Sequence, residues 1–227
     1  MKFINIVVEG SSEESFVNDV MVKHFVSFDK YISVRKILTG WDKANNKPAK
    51  GGLLKYDKLK NDINRWIKSD KGEKDTFYTC FVDLYAFPKG SGSPYTDDIQ
   101  TIKDPYKKIR ALEDAIKSDI GIPAFIPYVQ LHEFEAFLLV CPDRMSVLYP
   151  DKQNKIEILK KEICGISPEE VNESPLTAPS KRIIKLIPEY EGQKAQVGPL
   201  VAENIGMPEL RAKCPHFNEW ITKLENL

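Results

Sequence analysis

Apolar residues along the chain fall into short unbroken runs separated by stretches with helical spacing. Residues 3–8 (FINIVV) form a continuous apolar run, which is typical of a strand covered on both faces of a parallel sheet. Apolar positions from Phe16 to Phe25 then recur at helical spacing, so a helix is predicted directly after this strand. Residues 31–37 (YISVRKI) form a second, more polar strand candidate, and the Gly-, Asn- and Lys-rich stretch 40–52 is predicted to be a loop.

The same alternation continues through the middle of the chain. Residues 56–67 have helical spacing, and residues 76–85 (TFYTCFVDLY) are aromatic and β-branched, which predicts a central strand ending at Asp83. Residues 124–131 (AFIPYVQL) form a fourth strand candidate that continues directly into HEFEAFLLV. The pattern therefore predicts an α/β fold with a mostly parallel, Rossmann-like sheet flanked by helices.

The segments between the predicted strands indicate where a loop, a helix and a C-terminal subdomain begin. Residues 86–98 are rich in Gly, Pro and Ser and are unusually long for a connection, which indicates function or mobility. Asp104 followed by Pro105 is the expected start of another helix. After residue 142 the pattern changes to short helical segments broken by prolines. We therefore expect an α/β core over residues 1–141 and a helical C-terminal subdomain over residues 142–227 packed on it.

Composition excludes several classes of protein. The chain has 227 residues, 42% of them apolar, and equal numbers of Lys+Arg and Asp+Glu, 33 each, so net charge gives no basic signal for nucleic acid. No apolar run approaches the roughly 20 residues of a membrane span, and no signal peptide precedes the first strand, which predicts a cytoplasmic protein without a membrane partner. The four cysteines are far apart and form no CxxC pair, so reduced, mostly buried thiols are expected.

Acidic residues terminate several of the predicted strands. In an open α/β sheet the ends of parallel strands meet at one edge, so Glu9, Asp83 and the group His132, Glu133 and Glu135 should converge there. Converging carboxylates without equally many local bases repel one another, and a bound cation relieves that repulsion. A Mg²⁺ or Mn²⁺ site formed by Glu9, Asp83 and Glu133 or Glu135 is the expected explanation.

The stretch EGSSEES after the first strand contains three acids, and each has its own explanation. Ser11 and Glu14 have the S-x-x-E spacing of a capping box, which gives Glu14 a structural role. Glu13 is explained either by the helix dipole or by a role in the site. Glu9 precedes the cap and lies beside a glycine, so a functional role is expected for it.

The HEFEAFL segment has two possible geometries. Glu133 and Glu135 share a face on a strand but lie on nearly opposite sides of a helix. If a helix begins at His132, one of the two glutamates faces the site and the other is solvated or paired with a base. His132 is expected to form a hydrogen bond or contact a phosphate more readily than to bind the metal.

A second candidate contact to phosphate is the APSKRII segment. Ser180 is predicted to be an N-cap, with Lys181 and Arg182 in the first turn, where cations oppose the helix dipole. Two bases added to free amides would form a strong phosphate site. The alternative is a salt bridge to an acid elsewhere. His216 is expected to be a packed, hydrogen-bonded histidine.

A family resemblance is carried by five motifs, which occur in the order VVEGSSEESF, FVDLYAFP, PYVQLHEFEAFL, APSKRI and CPHFNEWITKLE. Together they resemble the bacterial family named domain of unknown function 4276, over nearly the whole chain. That family is similar to a divergent Toprim domain, the metal-dependent phosphoryl-transfer fold of topoisomerases, primases and overcoming-lysogenization-defect nucleases. Its members often occur beside ATPase genes in phage-defence neighbourhoods, so the resemblance implies an ATPase partner of the AAA or ABC type.

The resemblance also implies roles for single residues. A Toprim site has a glutamate after the first strand, which Glu9 matches, and Glu9 with Glu13 fits the E-x-x-x-E spacing of the nuclease branch. Asp83 matches the first aspartate of the D-x-D pair, whereas Tyr85 occupies the position of the second. The missing ligand is therefore expected from Glu133 or Glu135.

Three functions follow as hypotheses. The first is a Mg²⁺-dependent nuclease acting on DNA or RNA, with Glu9, Glu13, Asp83, Glu133 and Glu135 as the catalytic carboxylates and Lys181 and Arg182 positioning the phosphate backbone. The second is a binding or regulatory subunit of an ATPase that keeps the acidic edge without chemistry. The third, a phosphotransfer or nucleotide-binding enzyme, is disfavoured because the chain lacks GxxxxGK[ST] and a strand-linked GxGxxG.

Overall fold

The computed structural model describes residues 1–42, 47–50, 53, 55–70, 75–85, 87–172 and 176–227, with the backbone alone for 39–42 and 47–50. The strands are β1 Lys2–Val8, β2 Lys30–Lys36, β3 Leu38–Asp42, β4 Lys47–Lys50, β5 Thr76–Asp83, β6 Phe125–Ile126 and β7 Val129–Gln130. Strand β1 lies between β2 and β5, and the short strands β6 and β7 both pair with the other side of β5. All of these pairs are parallel, so the fold is α/β, as predicted.

Helices cover both faces of the sheet. The α-helices are α1 Ser11–Phe16, α2 Val22–Phe25, α3 Tyr56–Ser69, α4 Asp97–Gln100, α5 Pro105–Ile120, α6 Gln153–Glu162, α7 Pro179–Leu186, α8 Lys194–Ile205, α9 Met207–Lys213 and α10 Pro215–Glu225. A π-helical turn, Val17–Met21, joins α1 to α2, and a 3₁₀ turn, Val26–Phe28, follows α2. Further 3₁₀ segments are Phe134–Val140, Pro142–Val147, Pro150–Lys152, Pro168–Glu170 and Pro188–Gly192.

Two apolar cores lie on opposite faces of the sheet because side chains alternate along each strand. Ile6 packs on one face with Phe16 of α1 and Trp220 of α10. Val7 packs on the other face with Leu59 of α3 and Leu112 of α5. The C-terminal helices therefore share a continuous core with one face of the sheet. On that face Trp220 Nε1 donates a 3.0 Å hydrogen bond to Thr79 Oγ1 of β5.

Two local predictions are wrong. The described part of the predicted loop 40–52 contains most of a β-hairpin, since β3 pairs antiparallel with β4; residues 43–46 and 51–52 lie outside the described residues. The predicted fourth strand is divided into β6 and β7. Pro127 lies between them, and a proline cannot donate to a strand ladder, so the single apolar run forms two short pairs with β5.

Several other predictions are confirmed. Strand β5 ends at Asp83, and the Asp104 side chain caps α5 by accepting a 2.9 Å hydrogen bond from Lys107 N. His216 is buried, its Nε2 lies 3.0 Å from Glu113 Oε1, and its ring stacks on Tyr128. The predicted loop 86–98 is without regular structure from residue 87 until α4, and residue 86 lies outside the described chain.

No disulfide bond joins the four cysteines. All four cysteines are free; Cys80 and Cys214 are buried, whereas Cys164 is exposed. In the parts of the chain that the structure describes, no helix is both long enough and apolar enough to cross a bilayer.

Candidate functional site

The carboxyl ends of β1 and β5 bring two of the predicted acids together. Glu9 directly follows β1, and Asp83 is the last residue of the neighbouring strand β5. Glu9 Oε2 accepts a 3.2 Å hydrogen bond from Asp83 N, and Glu9 Oε1 accepts one of 3.2 Å from Leu53 N. Burial raises the pKa of Glu9, although these two amide donors oppose the shift.

Glu13, and not Glu14, binds the start of the first helix. The N-cap of α1 is Gly10, one residue earlier than predicted, so Glu13 occupies the third helical position and its Oε2 accepts a 2.9 Å hydrogen bond from Gly10 N. Glu14 instead forms a 2.8 Å ion pair with Lys36. The predicted capping box of Ser11 and Glu14 is therefore wrong, since a helix that begins one residue earlier exchanges the roles of the two glutamates.

Asp83 has an enclosed carboxylate oxygen without a partner. The residue retains some exposure, but its Oδ1 is buried and accepts no hydrogen bond from any described residue. Burial raises the pKa of Asp83 well above its ordinary value, and the charges of Glu13 and Glu9 raise it further. An ionised carboxylate in such surroundings is costly unless a cation or a donor reaches it.

Glu133 and Glu135 are both brought to the same edge. They flank Phe134, which begins the 3₁₀ segment Phe134–Val140, and both are buried. Glu133 Oε2 accepts a 2.9 Å hydrogen bond from Ser180 N. Glu135 Oε1 accepts a 3.2 Å hydrogen bond from Tyr190 Oη. Both glutamates add to the rise in the pKa of Asp83, so neither is turned away into solvent.

These five residues form what we call the acidic cluster: Glu9, Glu13, Asp83, Glu133 and Glu135. Burial, followed by the charges of Glu9 and Glu135, raises the pKa of Glu13 to about 7. Burial also raises the pKa of Glu135, although Lys194, with its Nζ 3.6 Å from Glu135 Oε1, opposes the shift. Within the described chain, Lys194 is the one base that forms an ion pair with the cluster. Uncompensated negative charge is therefore its main electrostatic property.

The oxygen atoms of the acidic cluster are suitable ligands for a divalent cation, but their present spacing is too wide to hold one. Carboxylate oxygens are the ligands that Mg²⁺ and Mn²⁺ prefer, and the unpartnered oxygen of Asp83 is available for coordination. Among the described residues, however, no three acids, histidines or cysteines are grouped closely enough to hold a metal ion. Coordination by three of them would require their side chains to move together.

The predicted N-cap of the phosphate clamp is wrong, and two of the three clamp residues have partners within the protein. Helix α7 begins at Pro179 with Ala178 as its N-cap, so Ser180 lies inside the first turn and donates its N–H to Glu133. Arg182 Nε donates a 2.8 Å hydrogen bond to Thr177 O, and its Nη1 lies 3.7 Å from Glu162 Oε2, as the alternative salt bridge predicts. Lys181 is exposed and remains a candidate phosphate contact. A carboxylate of the protein itself thus occupies the helix start that an anion would use.

His132 is held as a neutral hydrogen-bonding group. Its Nδ1 lies 2.9 Å from Asn172 Nδ2, and burial lowers the pKa of the imidazole to about 4. Its φ of 67° places it in the left-handed region, and its carbonyl accepts a 3.0 Å hydrogen bond from Tyr85 N. Tyr85, which the predicted Toprim resemblance places at the second aspartate, is 44% exposed. The histidine therefore fixes the backbone next to Glu133 and is outside the acidic cluster.

Tyr190 and Lys194, the partners of Glu135, were not anticipated from the sequence, since neither belongs to a recognisable motif. Gly198 of α8 leaves room for Tyr190 and Phe134 to pack closely against that helix. A Cβ at Gly198 would lie 3.1 Å from Phe134 Cε1 and 3.2 Å from Tyr190 Oη. Tyr190 and the start of the 3₁₀ segment therefore depend on the close approach of α8.

We expect the Gly198→Ala protein to be less stable than wild type by about 1–2 kcal/mol, because overpacking against the buried Phe134 and Tyr190 outweighs the gain of up to about 1 kcal/mol that alanine brings to a helix interior. Urea unfolding measures the difference. Gly192→Ala is the matched control, because a Cβ there has no described atom within 4 Å. Its stability is expected to stay within about 0.5 kcal/mol of wild type. Equal stability of the two variants would contradict the proposed packing.

The fold and the cluster together define a class: an α/β protein with a parallel sheet, helices on both faces and a carboxylate-rich site at the C-terminal edge of its strands. The chain belongs to the family described as Domain of unknown function (DUF4276), whose model matches residues 8–225. Searches of curated proteins and of solved structures found no match. The further resemblance to Toprim domains stays a prediction.

Proposed function

We propose that the protein is a cytoplasmic, metal-dependent nuclease that cleaves phosphodiester bonds of DNA or RNA at the acidic cluster. The proposal includes, from the family resemblance alone, a role in phage defence with an ATPase partner. The observation that carries it is Asp83, a strand-end carboxylate with an enclosed, unpartnered oxygen among four other acids. Buried structural acids are normally paired, so an enclosed, unpartnered carboxylate oxygen among other acids supports a role in binding a cation.

The residues of the acidic cluster would have two roles, metal binding and proton transfer. Asp83 and Glu9 would hold the ion, with Glu133 or Glu135 supplying the ligand that replaces the second Toprim aspartate. A bound Mg²⁺ would polarise the scissile phosphate and lower the pKa of an attacking water. Glu13 would assist proton transfer; in the metal-free protein its pKa is raised by burial and by the charges of Glu9 and Glu135, and a bound cation would lower it again. Burial of the cluster would limit competition from bulk water.

Metal affinity tests the proposal directly. We expect Mn²⁺ to bind the wild-type protein in isothermal titration calorimetry and to raise its unfolding temperature, since a ligand that binds only the folded state stabilises it. Binding should weaken at least about tenfold in the Glu9→Gln protein. Glu14→Gln is the matched control, because Glu14 lies in the first turn of α1, five residues after Glu9, but pairs with Lys36.

Two outcomes of this titration would contradict the proposal. One is a wild-type protein that binds neither Mg²⁺ nor Mn²⁺, even with an oligonucleotide present. The other is equal affinity in the Glu9→Gln and wild-type proteins, which would place any bound ion outside the acidic cluster.

A second candidate function is a binding or regulatory subunit without catalysis. It is favoured by a specific observation: Glu9, Glu13 and Glu133 each accept hydrogen bonds from backbone amides, which are structural roles. The exposed Tyr85 in place of an aspartate points the same way. Metal binding without any cleavage of DNA or RNA would favour this candidate.

A further inference from the structure

A cleft that contains two arginines opens between the edge strand β2 and helix α3. Its volume is about 350 Å³, and its described lining combines three cations and two acids with apolar side chains: Arg35, Lys36, Arg65, Glu14, Asp62, Val7, Val34, Leu38 and Trp66. We call this feature the arginine cleft.

Arg35 is the most distinctive residue of the cleft. Its guanidinium carbon lies 4.0 Å from the centre of the Trp66 ring, a cation–π contact that fixes the side chain in place. Among the described residues no carboxylate forms an ion pair with Arg35, and the residue is exposed. A guanidinium held by stacking keeps its N–H donors available for an anion, and its planar fork suits phosphate.

The other two cations differ in availability. Arg65 is 69% exposed at its side chain, and its one described ion pair is a 3.3 Å contact with Asp62. Asp62 also accepts a 2.6 Å hydrogen bond from Leu38 N, so its charge is shared. Lys36 is committed to Glu14 at 2.8 Å. Arg35 and Arg65 are therefore the two cations that a ligand can recruit.

The strand that carries Arg35 lies beside the strand that leads into the acidic cluster. Arg35 is paired in register with Val7 of β1, two residues before Glu9, and Lys36 is paired with Val8. Lys36 Nζ also lies 3.2 Å from Ser11 Oγ at the start of α1. The cluster repels a polyanion, so a nuclease needs cations nearby that hold the strand while its scissile phosphate approaches.

We propose that the arginine cleft binds backbone phosphates of the nucleic-acid strand, with Arg35 and Arg65 as the contacts; this inference rests on the proposed nuclease function. Trp66 is only 4% exposed and is covered by Arg35, so the cleft offers donors in place of an aromatic surface for base stacking. Binding is therefore independent of base sequence and dependent on salt. The cleft adds two cations to Lys181, which remains a candidate phosphate contact on α7.

Fluorescence anisotropy in EDTA tests the inference without any cleavage. The probe is a labelled single-stranded oligonucleotide of random sequence, prepared as DNA and as RNA. We expect the Arg35→Gln/Arg65→Gln protein to bind at least about tenfold more weakly than wild type. The slope of log K against log salt should become shallower by about 1.4, since two phosphate contacts are lost. Arg110→Gln is the matched control, because Arg110 is an exposed arginine of α5 paired with Glu219.

Each other outcome overturns the inference. Unchanged affinity and salt slope in the double variant would place the phosphate contacts elsewhere, and so would equal losses in Arg110→Gln. A wild-type protein that binds no oligonucleotide also overturns it. The single variants Arg35→Gln and Arg65→Gln, with unfolding temperatures measured, separate lost contacts from lost folding. Because EDTA removes the metal, the Mn²⁺ titration of the acidic cluster decides independently whether the proposed nuclease function fails.

Discussion

The Asp83→Asn protein is expected to lose metal-dependent phosphodiester cleavage by at least about 100-fold while remaining folded. Asparagine keeps the size of the side chain and one carbonyl oxygen, but it removes the charge that would hold the cation. Replacing a buried charge by a neutral amide also removes a desolvation cost, so its unfolding temperature should equal or exceed that of wild type. Lost activity with retained or increased stability is the expected combination.

The measurement is cleavage of labelled DNA and RNA with Mg²⁺ or Mn²⁺, beside thermal unfolding of the same preparations. Asp143→Asn is the control and should cleave as wild type does, because Asp143 is exposed, pairs with Lys160 and lies outside both the acidic cluster and the arginine cleft. Undiminished cleavage by the Asp83→Asn protein would remove Asp83 from the site. Loss of activity together with a large fall in unfolding temperature would identify Asp83 as a structural residue instead.

The metal-free protein is expected to become less stable as the pH rises above neutral, because of the buried residue Glu13. Burial raises the pKa of Glu13 from 4.5 in its ordinary state to about 7, so the folded protein holds this proton more tightly than the unfolded chain does. The stability contributed by protonated Glu13 is thus fully present below about pH 4.5 and is lost as the pH rises through about 7. Above that pH the folded protein carries a buried, repelled charge.

Glu13→Gln should therefore be more stable than wild type at pH 8 by about 2–3 kcal/mol, or roughly 5–10 °C in unfolding temperature, without metal. Glutamine keeps an oxygen that can accept the hydrogen bond from Gly10 N, so the helix cap is retained. At pH 4 the advantage should disappear. Urea unfolding across this pH range measures the difference, with Glu14→Gln expected to stay within about 0.5 kcal/mol. A pH-independent difference between the Glu13→Gln and wild-type proteins would contradict the assigned pKa.

The main fold could be predicted from the sequence because its strands are strongly apolar. The pattern of β1 and β5 leaves little alternative to a covered parallel sheet, and it places Glu9 and Asp83 at one edge. The hairpin of β3 and β4 was missed because Gly, Asn and Lys are poor strand formers and pairing there overrides propensity. The division at Pro127 has a local cause in the sequence, since a proline within an apolar run removes a backbone donor and ends the strand.

The site was predicted less completely, for a different physical reason. Which acids converge follows from strand topology, but which backbone amide each acid binds depends on helix starts, and these were misplaced by one or two residues. A shift of one position exchanged Glu13 with Glu14 at α1. A shift of two placed Ser180 N–H within reach of Glu133. The contact of Arg35 with Trp66 joins a strand to a helix and has no local signal in the sequence.

The acidic cluster joins parts of the chain that are far apart in sequence. Glu9 and Glu13 belong to the first strand and helix, whereas Lys194, the base that pairs with Glu135, belongs to α8, which packs on α1. On a ribosome, the N-terminal strands and their acids would emerge well before α8. Until α8 emerges, Glu135 lacks the base that pairs with it, so the complete acidic cluster depends on nearly the whole chain.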